Sequence, residues 1–136
     1  MMKTTPHVRK YMSTDLQTIG DEQTMLMAHR LMRQGLIHHL PVLHQGKLVG
    51  LVSDRDLNLL EALSTVDPKV VMVSEAMNSN PYVVAPDTPL VEAVLTMTAQ
   101  KYGAAVVCDN HTVVGIFTTV DALTALAELL SPSPQA

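Results

Sequence analysis

The sequence predicts an α+β fold: two tandem β-α-β-β-α repeats packed sheet to sheet in one pseudo-two-fold unit. Three observations carry this. Sliding the 136-residue chain along itself by 65 positions aligns, with no gap, Val8 with Val73, Met12 with Met77, Ala28 with Ala93, Gly50 with Gly115 and Asp56 with Asp121. Each copy passes from helical apolar spacing to two short apolar runs around a tight turn. A three-stranded sheet cannot bury both faces alone, so each copy needs the other.

Residues 16–19 and 82–85 are expected as short extended segments, followed by turns at Gly20-Asp21-Glu22 and Pro86-Asp87. Helices are expected over 24–34 and 89–101. Met25, Ala28, Leu31 and Met32 recur at three- and four-residue spacing in the first, and Leu90, Val91, Val94 and Met97 in the second. Thr88 suits the cap of the second helix and Pro89 its first turn. Strands at 39–43 and 47–52 flank Gln45-Gly46, and strands at 104–108 and 112–117 flank Asn110-His111. Closing helices are expected over 54–63 and 119–130. The domains are thus 8–63 and 73–130, with a linker at 64–72 and a flexible tail at 131–136.

Nine Lys and Arg against thirteen Asp and Glu give a net charge of −4, which argues against a nucleic-acid backbone as partner. Aromatic residues are 3%, too few for base-stacking platforms. Cys108 is the only cysteine; no internal disulfide or zinc-type Cys/His spacing exists, which fits a reducing, cytoplasmic setting. The first residues lack the apolar core of a signal peptide, and no apolar run approaches the roughly 20 residues that span a bilayer. Charged residues are only 16%, against about 25% in ordinary soluble domains, so part of the surface is expected to lie against a partner.

The most informative stretch is Gly50-Leu51-Val52-Ser53-Asp54-Arg55-Asp56, repeated as Gly115-Ile116-Phe117-Thr118-Thr119-Val120-Asp121. Each strand ends in a hydroxyl residue, a helix begins, and a carboxylate follows three residues later. Unpaired N–H groups at a helix start suit an anion. Ser53 or Thr118 can join them on a phosphate, and Asp56 or Asp121 can accept two hydrogen bonds from a ribose diol. The same spacing also describes a capping box, in which the two side chains satisfy each other's backbone N–H groups. The two roles are compatible.

Ile37-His38-His39-Leu40-Pro41-Val42-Leu43, a glycine turn and Leu48-Val49-Gly50-Leu51-Val52-Ser53-Asp54-Arg55-Asp56-Leu57 resemble the core of a CBS domain. Val114 to Leu123 resembles another, and Tyr11-Met12-Ser13 and Ala76-Met77-Asn78 resemble the lead-in to each. The resemblance covers 8–130 and implies a CBS pair (Bateman module) that is regulatory, takes part in energy sensing and binds AMP, ADP, ATP or S-adenosylmethionine. Carried over residue by residue, it implies Ser53, Arg55 and Thr118 at phosphate and Asp56 and Asp121 at ribose. Thr18, Ile19, His39, Leu40 and Pro41 would surround one adenine, with the His39 and Leu40 backbone in contact. Val83, Val84, Ala104 and Ala105 would surround the other. The second copy has Val106 for Pro41, Val120 for Arg55 and Gly103-Ala104 for His38-His39. It therefore loses cationic help, and the first site is the expected home of a charged nucleotide.

Six histidines raise the question of a metal, but His38 and His39 point to opposite faces of a strand and no thiol or carboxylate completes a set, so no metal site is expected. One of the pair can face the nucleotide, where its charge would alter phosphate affinity near pH 6.5; surface or core placement is the alternative. No nucleophile has a general base at a recognisable spacing, so no catalytic residue is assigned and the protein reads as no enzyme. Cys108 and the nine methionines read as packing. Leu57, Leu59, Leu60 and Leu63, and Leu123, Leu126, Leu129 and Leu130, cover more than one stripe of the closing helices. The expectation is a stand-alone module, homodimeric through these helices, that needs no cofactor and signals nucleotide occupancy to a client protein. The alternative is a constitutive interaction module with vestigial sites.

Overall fold

The computed structural model describes residues 5–131; beyond Ser131 the expected tail lies outside the described residues. In chain order the elements are α1 (Val8–Tyr11), β1 (Ile19–Gly20), α2 (Met25–Gly35), β2 (His39–His44), β3 (Lys47–Ser53), α3 (Asp54–Glu61), α4 (Val73–Ala76), β4 (Val83–Val84), α5 (Leu90–Gln100), β5 (Ala104–Asp109), β6 (Thr112–Thr118) and α6 (Thr119–Leu130). Each repeat thus carries the expected β-α-β-β-α order, preceded by one helical turn that apolar spacing is too short to reveal. No helix among the described residues is long and apolar enough to cross a membrane.

Local chemistry sets the boundaries. The Thr24 hydroxyl accepts from Met27 N at 3.2 Å and starts α2, which ends where Leu36 turns left-handed (φ 54°). The expected Thr88 cap is corrected. Its hydroxyl accepts from Ala85 N at 3.0 Å and closes the preceding turn, and Pro89 occupies the cap position with no side-chain bond. Both hairpins turn on two consecutive positive-φ residues, Gln45 and Gly46 (51° and 82°) and Asn110 and His111 (50° and 67°), the twist that a two-residue hairpin requires.

The described residues form two three-stranded sheets, ordered β1-β2-β3 and β4-β5-β6. In each the short leading strand runs parallel to its neighbour, Ile19 opposite Val42 and Val83 opposite Val106. The chain divides into two compact units that interleave in sequence. Among the described residues, one holds 5–15 with Tyr82–Asp109 and 114–131; the other holds Leu16–Pro81 with Asn110–Val113. The first-repeat core is built from Ile19, Met25, Ala28, Leu40, Val52 and Leu57 and closed by Val73. The second-repeat core includes Val84, Leu90, Ala93, Val107 and Phe117 and is closed by Val8.

Each lead-in is therefore built into the repeat that does not follow it directly. Val8 N donates to Thr88 O at 2.9 Å, and Ser13 exchanges backbone hydrogen bonds with Ile116 at 2.8 and 3.0 Å. At the equivalent place Val73 N donates to Gln23 O at 2.7 Å, and Asn78 exchanges bonds with Leu51 at 2.9 and 3.0 Å. The glycine before each bridge permits this approach. A Cβ on Gly50 would lie 2.9 Å from the Asn78 carbonyl oxygen, and one on Gly115 2.9 Å from that of Ser13. Backbone cannot swing aside as a side chain can, so Gly50→Ala is expected to cost about 1–3 kcal/mol. Gly20→Ala, whose Cβ would meet only Gln23 Cγ at 3.8 Å, should stay near wild type. Thermal denaturation of both variants checks the contrast.

Candidate functional site

In the first-repeat unit the register gathers the expected residues at one end of the sheet. Thr18 leads into β1, which runs parallel to β2, and His39 at the start of β2 pairs with Ser53 at the end of β3. Ser53 is the N-cap of α3: its hydroxyl accepts from Asp56 N at 3.0 Å, and Asp56 Oδ2 accepts from Ser53 N at 2.9 Å. The capping box is present in full. Arg55 is exposed in the same first turn. Ile19, Leu40 and Pro41 are buried, Ile19 and Leu40 in the core of the unit; of Leu40, backbone alone is left to serve a ligand.

Two histidines lie at this end. His38 Nδ1–H donates to Asp54 Oδ2 at 2.7 Å, and Asp54 N donates to the His38 carbonyl at 3.0 Å. Asp54 is thus held by a neighbour and does not turn freely to solvent. Sequence reasoning gives His38 no such role, although a histidine one residue before the strand and an acid one residue after its partner strand is the available signal. His39 is half-buried. Burial holds its imidazole below the ordinary pKa, opposed by Asp54, assisted by His38 and opposed by Asp56.

The second-repeat unit repeats the pattern with different bonding. Thr118 caps α6, accepting from Asp121 N at 3.3 Å, and Asp121 Oδ2 accepts from Thr118 N at 2.8 Å and from the Thr118 hydroxyl at 3.1 Å. Asp121 Oδ1 also accepts from the Ser13 hydroxyl at 3.3 Å. In the sequence Ser13 reads only as lead-in, because its partner stands 108 residues away. Val84, Ala104 and Ala105 are buried and Val83 is exposed. The two carboxylates therefore differ. Among the described residues Asp56 accepts a single hydrogen bond, from Ser53 N, whereas Asp121 accepts three.

The remaining histidines are scattered. His29 pairs with Glu61, and His44 Nδ1 lies 3.1 Å from Asp21 Oδ1. No three His, Cys, Asp or Glu gather for a metal among the described residues.

The CBS domain model matches residues 8–60 and 73–128, most of the chain in two copies. The chain belongs to the CBS domain family. A CBS domain-containing protein of Dictyostelium discoideum is 32% identical over 93% of this chain and 95% of its own. Among solved structures, CBSX2 in complex with AMP is 26% identical with a TM-score of 0.77, covering 93% of this chain and 99% of that one. The CBS domain pair of protein MJ0100, solved with 5′-methylthioadenosine and S-adenosylmethionine, gives a TM-score of 0.85 over 93% and 99%. At 23% identity it speaks for the fold alone.

Proposed function

We propose that this CBS pair, with domains at 8–63 and 73–130, is a regulatory module that binds an adenine nucleotide and passes occupancy to a client protein. It performs no catalysis, needs no cofactor and works in the cytoplasm in an energy-sensing role. The observation that carries the reading is the pair of free atoms at the first cap. Among the described residues the Ser53 hydroxyl proton has no acceptor and Asp56 Oδ1 has no donor. One donor for phosphate and one acceptor for a ribose diol therefore stand at the N-terminus of α3, with exposed Arg55 beside them. The AMP complex of CBSX2 supports the choice of ligand class. At the second cap the Thr118 hydroxyl donates to Asp121 Oδ2 and Asp121 Oδ1 accepts from the Ser13 hydroxyl, so the first site is the stronger. Thr18, Ile19, His39, Leu40 and Pro41 would line the first adenine, and Val83, Val84, Ala104 and Ala105 the second.

The complete capping boxes favour a second reading, a constitutive association module whose carboxylates serve only the helix starts. Thermal denaturation with AMP separates the two. A ligand at 100 times its dissociation constant stabilises by about 2.7 kcal/mol, so the melting temperature should climb with AMP concentration; an unmoved transition supports the second reading. The sites can also be compared. With Asp121→Ala leaving the first site, loss of phosphate from AMP to adenosine should weaken binding more than with Asp56→Ala leaving the second, because only Arg55 supplies a charge-assisted bond. The reverse order in calorimetry would defeat the charge argument.

A further inference from the structure

The nucleotide reading uses His39 only through its backbone and gives His38 no role, and any role for their imidazoles toward a ligand rests on that reading. His39 sits directly across the ladder from Ser53, the phosphate-facing cap. The charged and titratable groups around it are Asp54 and Asp56 on α3 and His38 immediately before its own strand, with Arg55 exposed in the same turn; Thr18 and Ile19 before and in β1 carry no charge. Of the two nearby carboxylates, Asp54 is held by His38, and Asp56 gives Oδ2 to the Ser53 N–H and keeps Oδ1 for the ribose diol. Both carboxylates already act on the imidazole in the free protein, and an arriving phosphate would add a further anion beside it.

We infer that His39 makes anion binding at the first site pH-graded: its imidazole takes up a proton when a phosphate-bearing ligand arrives, so that ligand binds more tightly as pH falls through the neutral range. The sign follows from linkage. In the free protein burial disfavours the charged imidazole, so His39 is neutral at neutral pH. A phosphate stabilises the protonated form, and a proton bound with the ligand raises affinity as pH falls. The free protein has the opposite trend: a His with a lowered pKa contributes stability above the unfolded value near 6.5 that is lost as pH falls through the folded value. Acid should thus lower the melting temperature of the free protein while enlarging the increment due to AMP. The second site, with Ala104 at this position, lacks the device.

The test uses the full chain carrying Asp121→Ala, so that the first site is read alone. AMP is titrated by calorimetry from pH 8 to pH 6.5, above the second phosphate pKa of about 6, in two buffers of different ionisation enthalpy. Affinity should rise roughly three- to tenfold over that interval, with net proton uptake, and adenosine should give a flat profile. His39→Gln should bind AMP with no slope and no uptake, while His38→Gln keeps both. His39→Asn serves as the second variant if His39→Gln is misfolded by circular dichroism. AMP binding without a slope, or a slope retained in the His39 variants, overturns the inference and leaves the nucleotide reading standing. No AMP binding at any pH overturns both.

Discussion

Asp56→Ala is expected to abolish useful AMP binding at the first site, weakening it about tenfold to a hundredfold. The ribose hydroxyls lose a charged acceptor, and hydrogen bonds to charged groups are worth about 1.5–3 kcal/mol each. The substitution also removes the acceptor for Ser53 N at 2.9 Å, so about 1 kcal/mol of stability should go with the cap. These two losses separate in Asp56→Asn. The amide oxygen can still accept from Ser53 N and keep the helix start, but it offers the diol a neutral acceptor in place of a charged one. Calorimetry should therefore find Asp56→Asn near wild type in melting temperature and clearly weakened for AMP. Wild-type affinity in Asp56→Ala would remove Asp56 from the site.

The repeat is legible in the sequence because a 65-residue offset carries its own register, and Gly50, Asp56 and their partners fall at equal places. The hydroxyl–carboxylate pairs are legible for the same reason, and their spacing admits both capping and ligand binding. What stays hidden is what the chain brings together across sequence. Val8 closes the second core and Val73 the first, so each lead-in skips the repeat that it directly precedes. Nothing in a four-residue helix identifies that destination. The bond from Ser13 to Asp121 follows from the same exchange, and so does the difference between the two carboxylates. Thr88 misleads for a local reason: a threonine before a proline suits either a cap or the end of a turn, and the bond from Ala85 N decides for the turn.

The chain is expected to associate as a homodimer of about twice 14.8 kDa, and Leu126→Glu to convert that dimer into a folded monomer. The closing helices are not apolar in the same way. In α3, Leu57 is fully buried and Leu60 packs partly buried on the first core, while Leu59 is exposed. On α5 and α6 of the second-repeat unit, Val91, Leu95, Leu123 and Leu126 are exposed by 49 to 63%. At the 65-residue offset three of these positions are occupied by Arg30, Asn58 and Glu61 in the first repeat. An aliphatic face on one repeat, replaced by charge and amide at the same places on the other, fits a surface that is covered on the first and solvated on the second. The self-complementary occupant is a second copy related by a two-fold axis, which would bring each glutamate of the variant near its symmetry mate and leave a buried charge unpaired. Leu60→Glu serves as the contrast. It places a carboxylate against the first core, so it should lower the melting temperature by several degrees and report on folding instead of association. Light scattering at tens of micromolar decides: a monomeric wild type, or a Leu126→Glu variant that stays dimeric, removes the α5–α6 face as the contact.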